Sequence, residues 1–261
     1  GTPGSGRGVA IGAGGGRLAY HRLNATRVTS VRTPIVAVDG TAGSGKSSVS
    51  KGVAKALGLR YLDTGAMYRA AALWMLQNGI DVSDSESVAA NADRPRISIG
   101  TDPQVPTIAL DGVDVSAEIR TPPVTAAVSS VSAVPAVRKQ MVALQRKAAS
   151  HAADAGLGLI AEGRDIGTVV LPHADVKLFL VADPEVRAAR RAAEDAARGH
   201  GGAVHATAAE LARRDHADSS RSASPLVQAE DAIVIDGTFD DLDTVIAKAV
   251  AAVRSRIGEG T

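Results

Sequence analysis

Residues 35–47 read IVAVDGTAGSGKS: four apolar residues, then a glycine-bracketed loop that ends in lysine and serine. Ile35–Val38 has the composition of a short buried strand. From Gly40, four spacers (Thr41, Ala42, Gly43 and Ser44) lead to Gly45, Lys46 and Ser47. This is the G-x-x-x-x-G-K-[ST] pattern, in the strand–loop–helix setting that it requires. Glycines let such a loop curl until successive backbone N–H groups point at one phosphate chain. The helix-like SSVSKGVAKALG that follows adds the positive end of its dipole. Lys46 supplies a point charge for β- and γ-phosphates and Ser47 a hydroxyl for Mg²⁺; with Ser48, the run Gly40 to Ser48 forms a nucleotide site. A tight strand–helix corner would account for the glycines, but it would need neither a lysine nor a hydroxyl at these two places.

The 261 residues suffice for one α/β domain with an insertion, or for two small domains. Net charge is +1, but residues 1–33 hold five arginines and no acid, which leaves −4 for residues 34–261. That balance recommends neither nucleic acid nor a membrane as partner. Six aromatic residues are few for the stacking platforms of single-strand binders. The chain has no cysteine, which excludes disulfides, thiol catalysis and cysteine-based zinc sites. No apolar run approaches the roughly 18 residues of a spanning helix. A cytoplasmic, monomeric enzyme fits these features. The six histidines lack metal-ligand spacing, and His151, His173 and His216 read as surface residues.

Residues 1–33 stand apart. Eight of the first sixteen are glycine, and apolar periodicity is weak. The arginine-bearing, acid-free character has a faint likeness to a targeting presequence, without its amphipathic helix or apolar core. The segment is expected to be a flexible leader or an artefact of the chosen start.

Five apolar runs read as buried parallel strands: Ile35–Val38, Arg60–Leu62, Leu157–Ala161, Val176–Val181 and Ala232–Ile235. Helical stretches separate them. Ser47–Leu57 stops at Gly58, and Ala66–Gln77 at Asn78-Gly79. Val137–Ala153 follows, then a helix opened by Asp183-Pro184-Glu185, then Leu242–Ile257. Alternating strands and helices imply an open α/β sheet with its ligand at the carboxyl ends of the strands. Two alternating runs, Arg96–Gly100 and Thr107–Asp111, predict a small antiparallel hairpin outside that sheet, either a surface ornament or a cap over substrate.

A phosphate loop does not name a reaction; regulatory switches, motors and small-molecule kinases all use one. Two further segments set charges just past strand ends. In YLDTGAMYR, Thr64 and the next N–H groups open a helix that can take an anion, and Arg69 reaches back with a fork suited to a second phosphate. In LGLIAEGRDIGT, an apolar strand runs into Glu162, where a carboxylate can organise Mg²⁺ through water, and then into Arg164 and Asp165. Downstream, Arg187, Arg190 and Arg191 share a helix face, and Arg213, Arg214, Asp215, Asp218 and Arg221 follow a Gly199–Ala203 turn. Such runs are usually solvated faces. Between the last two strands, a mobile arginine-bearing lid would also suit phosphoryl transfer, because it neutralises the moving group and keeps water away.

With these motifs in hand, residues 34–258 resemble the bacterial cytidylate kinases, of the nucleoside monophosphate kinase superfamily. The likeness rests on GTAGSGKSS, YLDTGAMYRA, SAEIRTPPV, EGRDIGTVV and RRDHADSSRSASPL, in that order; DTGAMYR and GRDIGTVV are its specific parts. The resemblance implies a three-layer P-loop kinase fold with a five-stranded parallel sheet of order 2-3-1-4-5. Its core would be 34–63, 155–182 and 223–258, with an inserted acceptor-binding subdomain at 64–154 and a short helical lid at 183–222. It implies transfer of the γ-phosphoryl of ATP to CMP or dCMP, with Mg²⁺. Thr64, Tyr68, Arg69 and Arg164 would surround the acceptor phosphate. Ser129, Arg138 and Asp165 would bond the cytosine edge, Ser129 and Arg138 through the looser match SSVSAVPAVR. Arg214 and Asp218 would approach the ribose and Arg221 the phosphates, while Arg187 and Arg191 closed on the transferring group. Glu162 stands where some members carry aspartate. A related kinase acting on UMP, AMP or shikimate, or a non-enzymatic phosphate-loop regulator, are the competing readings.

Overall fold

The computed structural model describes residues 33–197, 199, 204–221 and 223–258. The expected leader therefore lies outside the described residues except for Thr33, and the expected Gly199–Ala203 turn does so except for Gly199. The described residues form strands β1 (Ile35–Gly40), β2 (Arg60–Asp63), β3 (Ile97–Ile99), β4 (Ile108–Leu110), β5 (Val113–Asp114), β6 (Leu159–Glu162), β7 (Val176–Val181) and β8 (Ile233–Asp236). Their helices are α1 (Lys46–Leu57), α2 (Thr64–Gln77), α3 (Ser85–Ala90), α4 (Pro122–Ala133), α5 (Pro135–Asp154), α6 (Pro184–Ala197), α7 (Val204–Ser220) and α8 (Leu242–Ile257).

Five strands pair in parallel in the order β2-β6-β1-β7-β8. Counted within this sheet alone, that is 2-3-1-4-5. β1 and β6 are central and almost wholly buried, which is why they read as continuous apolar runs. Successive side chains leave a strand on opposite faces. Ala37, Leu62, Leu159 and Ala161 meet Met67, Ile119 and Met141 on one face. Val36, Val38, Tyr61, Ile160 and Leu178 meet Val49, Val53, Val245 and Val253, from α1 and α8, on the other.

The caps explain where helices begin. Gly45 takes a left-handed φ of 88° ahead of α1, and Gly58 a φ of 66° behind it. Asp63 caps α2 by accepting from the Ala66 N–H at 2.9 Å, so this helix starts at Thr64, two residues before the expected Ala66. In α4, two prolines open the helix and Val124, Ala127, Val128 and Val131 bury one face. α3 and α4 were not anticipated, and α7 only as part of the expected helical lid at 183–222. The expected hairpin is instead a three-stranded antiparallel sheet, β3-β4-β5. The extra strand follows from Asp111 and Gly112, whose φ values of 52° and 84° make the two-residue turn that folds β5 back on β4.

Gly40 closes β1 where the sheet is tightest. Its φ is 148°, and a Cβ there would lie 2.1 Å from the Leu180 carbonyl oxygen of β7. The clash is with backbone, which cannot swing away. Gly40→Ala should therefore lower the free energy of unfolding by about 3 kcal/mol or more. Urea denaturation reads this directly, and a loss under about 1 kcal/mol would show that the two strands separate without cost.

Candidate active site

The carboxyl ends of β1, β2 and β6 open into a cavity of about 440 Å³. The glycine loop forms one wall, with Ala42, Gly43, Gly45, Lys46, Ser47 and Ser48 facing it. Gly43 and Gly45 both hold positive φ, which turns the loop around its own centre. Thr41 O accepts from the Lys46 ammonium at 2.6 Å and from Ser44 Oγ at 3.0 Å. Burial, then the Arg164 guanidinium, hold Lys46 well below the usual lysine range, against the opposing pull of Glu162 and Asp39.

Glu162 ends β6 inside the cavity wall. Its Oε1 accepts from Tyr61 Oη at 2.6 Å, and its backbone oxygen accepts from Thr64 Oγ1 at 2.6 Å. Its Oε2 is buried without a hydrogen-bond partner among the described residues. Burial, and then Asp63, push the Glu162 carboxyl up. Burial, followed by the Glu162 charge, pushes the Tyr61 hydroxyl up as well, so it remains a donor at any working pH.

Guanidinium groups form the opposite wall. Arg69, Arg120, Arg164, Arg191 and Arg214 all line the cavity. Arg69 Nη1 donates to Ile119 O at 3.1 Å and to Thr125 Oγ1 at 2.9 Å. Burial and then Arg214, Arg120 and Arg191 draw Arg69 down to about 9; burial and then Arg164 draw Arg214 down to about 10. Such crowding is relieved by an anion. Asp218 takes Arg164 Nε at 2.9 Å and Arg221 Nη2 at 2.7 Å.

Several expected site residues, among them Arg187, Arg138, Asp165, Tyr68 and Ser129, sit away from this cavity's lining. Arg187 is buried beneath the loop, where its guanidinium donates to Ala42 O at 3.0 Å and to Ala182 O at 3.1 Å and pairs with Asp215. Arg138 and Asp165, expected to bond a base, bond each other at 2.5 Å in a nearly dry setting. Tyr68 lies against that pair, with Arg138 Cζ 5.4 Å from its ring centroid and its hydroxyl facing Gln145. Ser129 lines a second cavity of about 590 Å³ between α4 and helices α6 and α7, together with Arg120, Arg191, Arg213 and Arg214. His151, His173 and His216 are exposed, as their isolation in sequence suggested.

Several residues of the site escaped the sequence reading. Asp39 is buried at the end of β1, and its two oxygens accept from the Ile166 and Gly167 N–H groups at 2.8 and 2.7 Å. Asp215, noted in the sequence only within a charged run and given no role, accepts from the Ala42 N–H through Oδ1 at 3.0 Å. Arg120 reaches Asp63 at 3.2 Å. Gln145 is buried beside the Tyr68 hydroxyl, and neither of its amide atoms has a well-formed hydrogen bond among the described residues. The signal for Asp39 and Gln145 was available in principle: a polar residue in an otherwise apolar strand, and one in the buried stripe of a helix.

The chain matches a family model described as cytidylate kinase over residues 36–255. It is similar to proteins named cytidylate kinase from several bacteria. One from Streptomyces avermitilis is 52% identical over 227 residues, which is 87% of this chain and 95% of the relative. One from Streptomyces coelicolor is 55% identical over 222 residues, 85% of this chain and 93% of the relative. One from Rhodococcus opacus is 49% identical over 231 residues, 88% and 99% of the two chains.

Asp39 generates a pH signature. Burial is the main cause that pushes its carboxyl from 3.8 up to about 6; the two backbone N–H groups oppose this, and Asp165 adds to it. Between those values the folded chain holds a proton that the unfolded chain has released. The group's contribution to stability is thus complete below about pH 4 and is lost as pH rises through about 6. Asp39→Asn should remove that component. Melting curves from about pH 4 to 7.5 should show a smaller fall in Tm with rising pH for the variant; parallel curves would mean that Asp39 titrates as an ordinary aspartate.

Proposed function

The chain belongs to the cytidylate kinase family, and on that premise we propose that it transfers the γ-phosphoryl group of ATP to CMP or dCMP, giving CDP or dCDP and ADP. The observation that carries this reading is the single cavity in which Lys46 and the glycine loop face Arg69, Arg164, Arg191 and Arg214. A donor phosphate chain laid on the loop would meet an acceptor phosphate held by the guanidinium groups. Little covalent chemistry is then required of the protein. The acceptor is already an anion and attacks without a strong general base, so positioning and charge neutralisation supply the rate.

In this reading residues Gly40 to Ser48 bind ATP. Thr64, Tyr68, Arg69 and Arg164 bind the acceptor phosphate. The Arg138–Asp165 pair presents a preformed donor and acceptor to cytosine, with Ser129 beside it. Arg214 and Asp218 reach the ribose, Arg221 the phosphates, and Arg191 the transferring group. Arg187 acts one step back: its bonds to Ala42 O and Asp215 support a role in bracing the loop. Residues 64–154 form the acceptor-binding subdomain around the core, and α6 and α7 belong to a lid that excludes water. The donor set fits a divalent cation, because Glu162 offers a buried, unpartnered Oε2 beside Ser47. Ser47 Oγ, and Glu162 through water, would hold Mg²⁺, which would supply positive charge against the phosphates. No helix among the described residues is long and apolar enough to cross a membrane. The reading makes the protein a cytoplasmic monomer whose partners are nucleotides, not nucleic acid or lipid.

Coupled ADP release with CMP, dCMP, UMP and AMP in turn tests the assignment; an absence of stimulation by any pyrimidine monophosphate would overturn it. Lys46→Ala should lower kcat by about a hundredfold or more with the melting temperature retained. Asp165→Asn strands the Arg138 charge and will cost stability. Within the folded variant, the KM for CMP should still rise well beyond any change in the KM for ATP. Equal damage to both would remove Asp165 from the base site.

A further inference from the structure

β2 and β6 pair in parallel with Tyr61 beside Ile160 and Asp63 beside Glu162. This register sets Tyr61 and Glu162 on the face of the sheet that packs on α1, one diagonal step apart. The Tyr61 ring is fully buried among the apolar residues of that face, and Lys51 of α1 holds its ammonium 5.7 Å from the ring centroid. The ring alone would fill the space, so packing gives no reason for a hydroxyl there. The hydroxyl donates to Glu162 Oε1 at 2.6 Å, with Ser47 also near it. The other carboxylate oxygen is buried and has no well-formed hydrogen bond among the described residues, although Ser47 stands close enough to favour its charge; the residue lines the cavity beside Ser47 and Lys46. An orphaned carboxylate oxygen is costly unless something charged or strongly donating meets it.

We propose that Tyr61 is a positioning residue: its hydroxyl pins Glu162 Oε1, so that Oε2 alone is presented to the divalent cation that accompanies the donor nucleotide. Glutamate has three side-chain torsions, and left to itself this carboxylate could turn toward the Lys46 ammonium, which attracts it. A donor on a ring locked in the core removes that freedom, and outer partners of this kind set the affinity of a metal site. The inference rests on the metal role given to Glu162 above.

The test uses the full-length protein saturated with ADP and titrated with Mn²⁺, following the free Mn²⁺ paramagnetic resonance signal. Tyr61→Phe should weaken Mn²⁺ binding roughly tenfold while metal-free ADP affinity and the KM for CMP stay unchanged. Glu162→Gln should weaken it at least as much, and Tyr61→Phe added to Glu162→Gln should cost nothing further. Should Tyr61→Phe fail to fold, Glu162→Asp serves: it withdraws the carboxylate from Tyr61 by one methylene with the ring in place, and the same loss is expected. Native Mn²⁺ affinity in Tyr61→Phe (or in Glu162→Asp as its substitute) alongside a loss in Glu162→Gln would overturn the positioning role and leave the metal role standing. Native affinity in Glu162→Gln would overturn the metal role and this inference with it.

Discussion

Two buried carboxylates on the central strands organise the carboxyl end of the sheet, and they do so on opposite faces. Val38 pairs with Glu162, so Glu162 points toward α1 while Asp39, one residue further along β1, points the other way. Asp39 takes the N–H groups of Ile166 and Gly167 and so fixes the turn that carries Arg164 and Asp165. Because Gly40 begins the phosphate loop in the next residue, one short stretch of β1 sets both the loop and the opposing turn. The Gly163 N–H bonded to Val38 O at 2.9 Å extends the sheet ladder to this junction. A shift in register by one residue would exchange the faces of Asp39 and its neighbours and dismantle both walls.

The second constraint is charge. Many guanidinium groups crowd a small volume; burial first, and then their mutual repulsion, lowers the pKa of Arg69 and Arg214. The chain manages this by tethering. Arg69 is held by Ile119 O and Thr125, Arg164 by Gly163 O and Asp218, and Arg187 by Ala42 O, Ala182 O and Asp215. Guanidinium forks held by fixed acceptors lose little freedom when a phosphate arrives, which is the preorganisation that electrostatic catalysis needs.

How much of this was legible in the sequence depended on the range of each interaction. The phosphate loop could be read because its glycines, lysine and serine act within a few residues of each other. The central strands β1 and β6 could be read because burial on both faces leaves nearly uninterrupted apolar runs. α4 was overlooked although Val124, Ala127, Val128 and Val131 keep helical spacing, since its serines, threonine and β-branched residues are indifferent helix formers. The third strand of the small sheet depended on one Asp-Gly turn. Tyr61 passed as an apolar strand residue because its hydroxyl acquires meaning only beside Glu162, 101 residues later. Arg187 was assigned to the transferring group through the family resemblance; its partners here, Ala42 and Asp215, are 145 and 28 residues away, and no local pattern announces them.

Asp215 closes the argument. It accepts from the Ala42 N–H through one oxygen and pairs with Arg187 through the other, while Arg187 in turn holds Ala42 O. Both polar groups of one loop residue are thus bonded to α6 and α7, the helices that also bring Arg191 and Arg214 to the cavity. A displacement of either helix must strain or break bonds to the loop itself. The arginine-bearing helices and the phosphate loop are therefore tied together by one half-buried triad, Ala42, Asp215 and Arg187, and not by the number of charges.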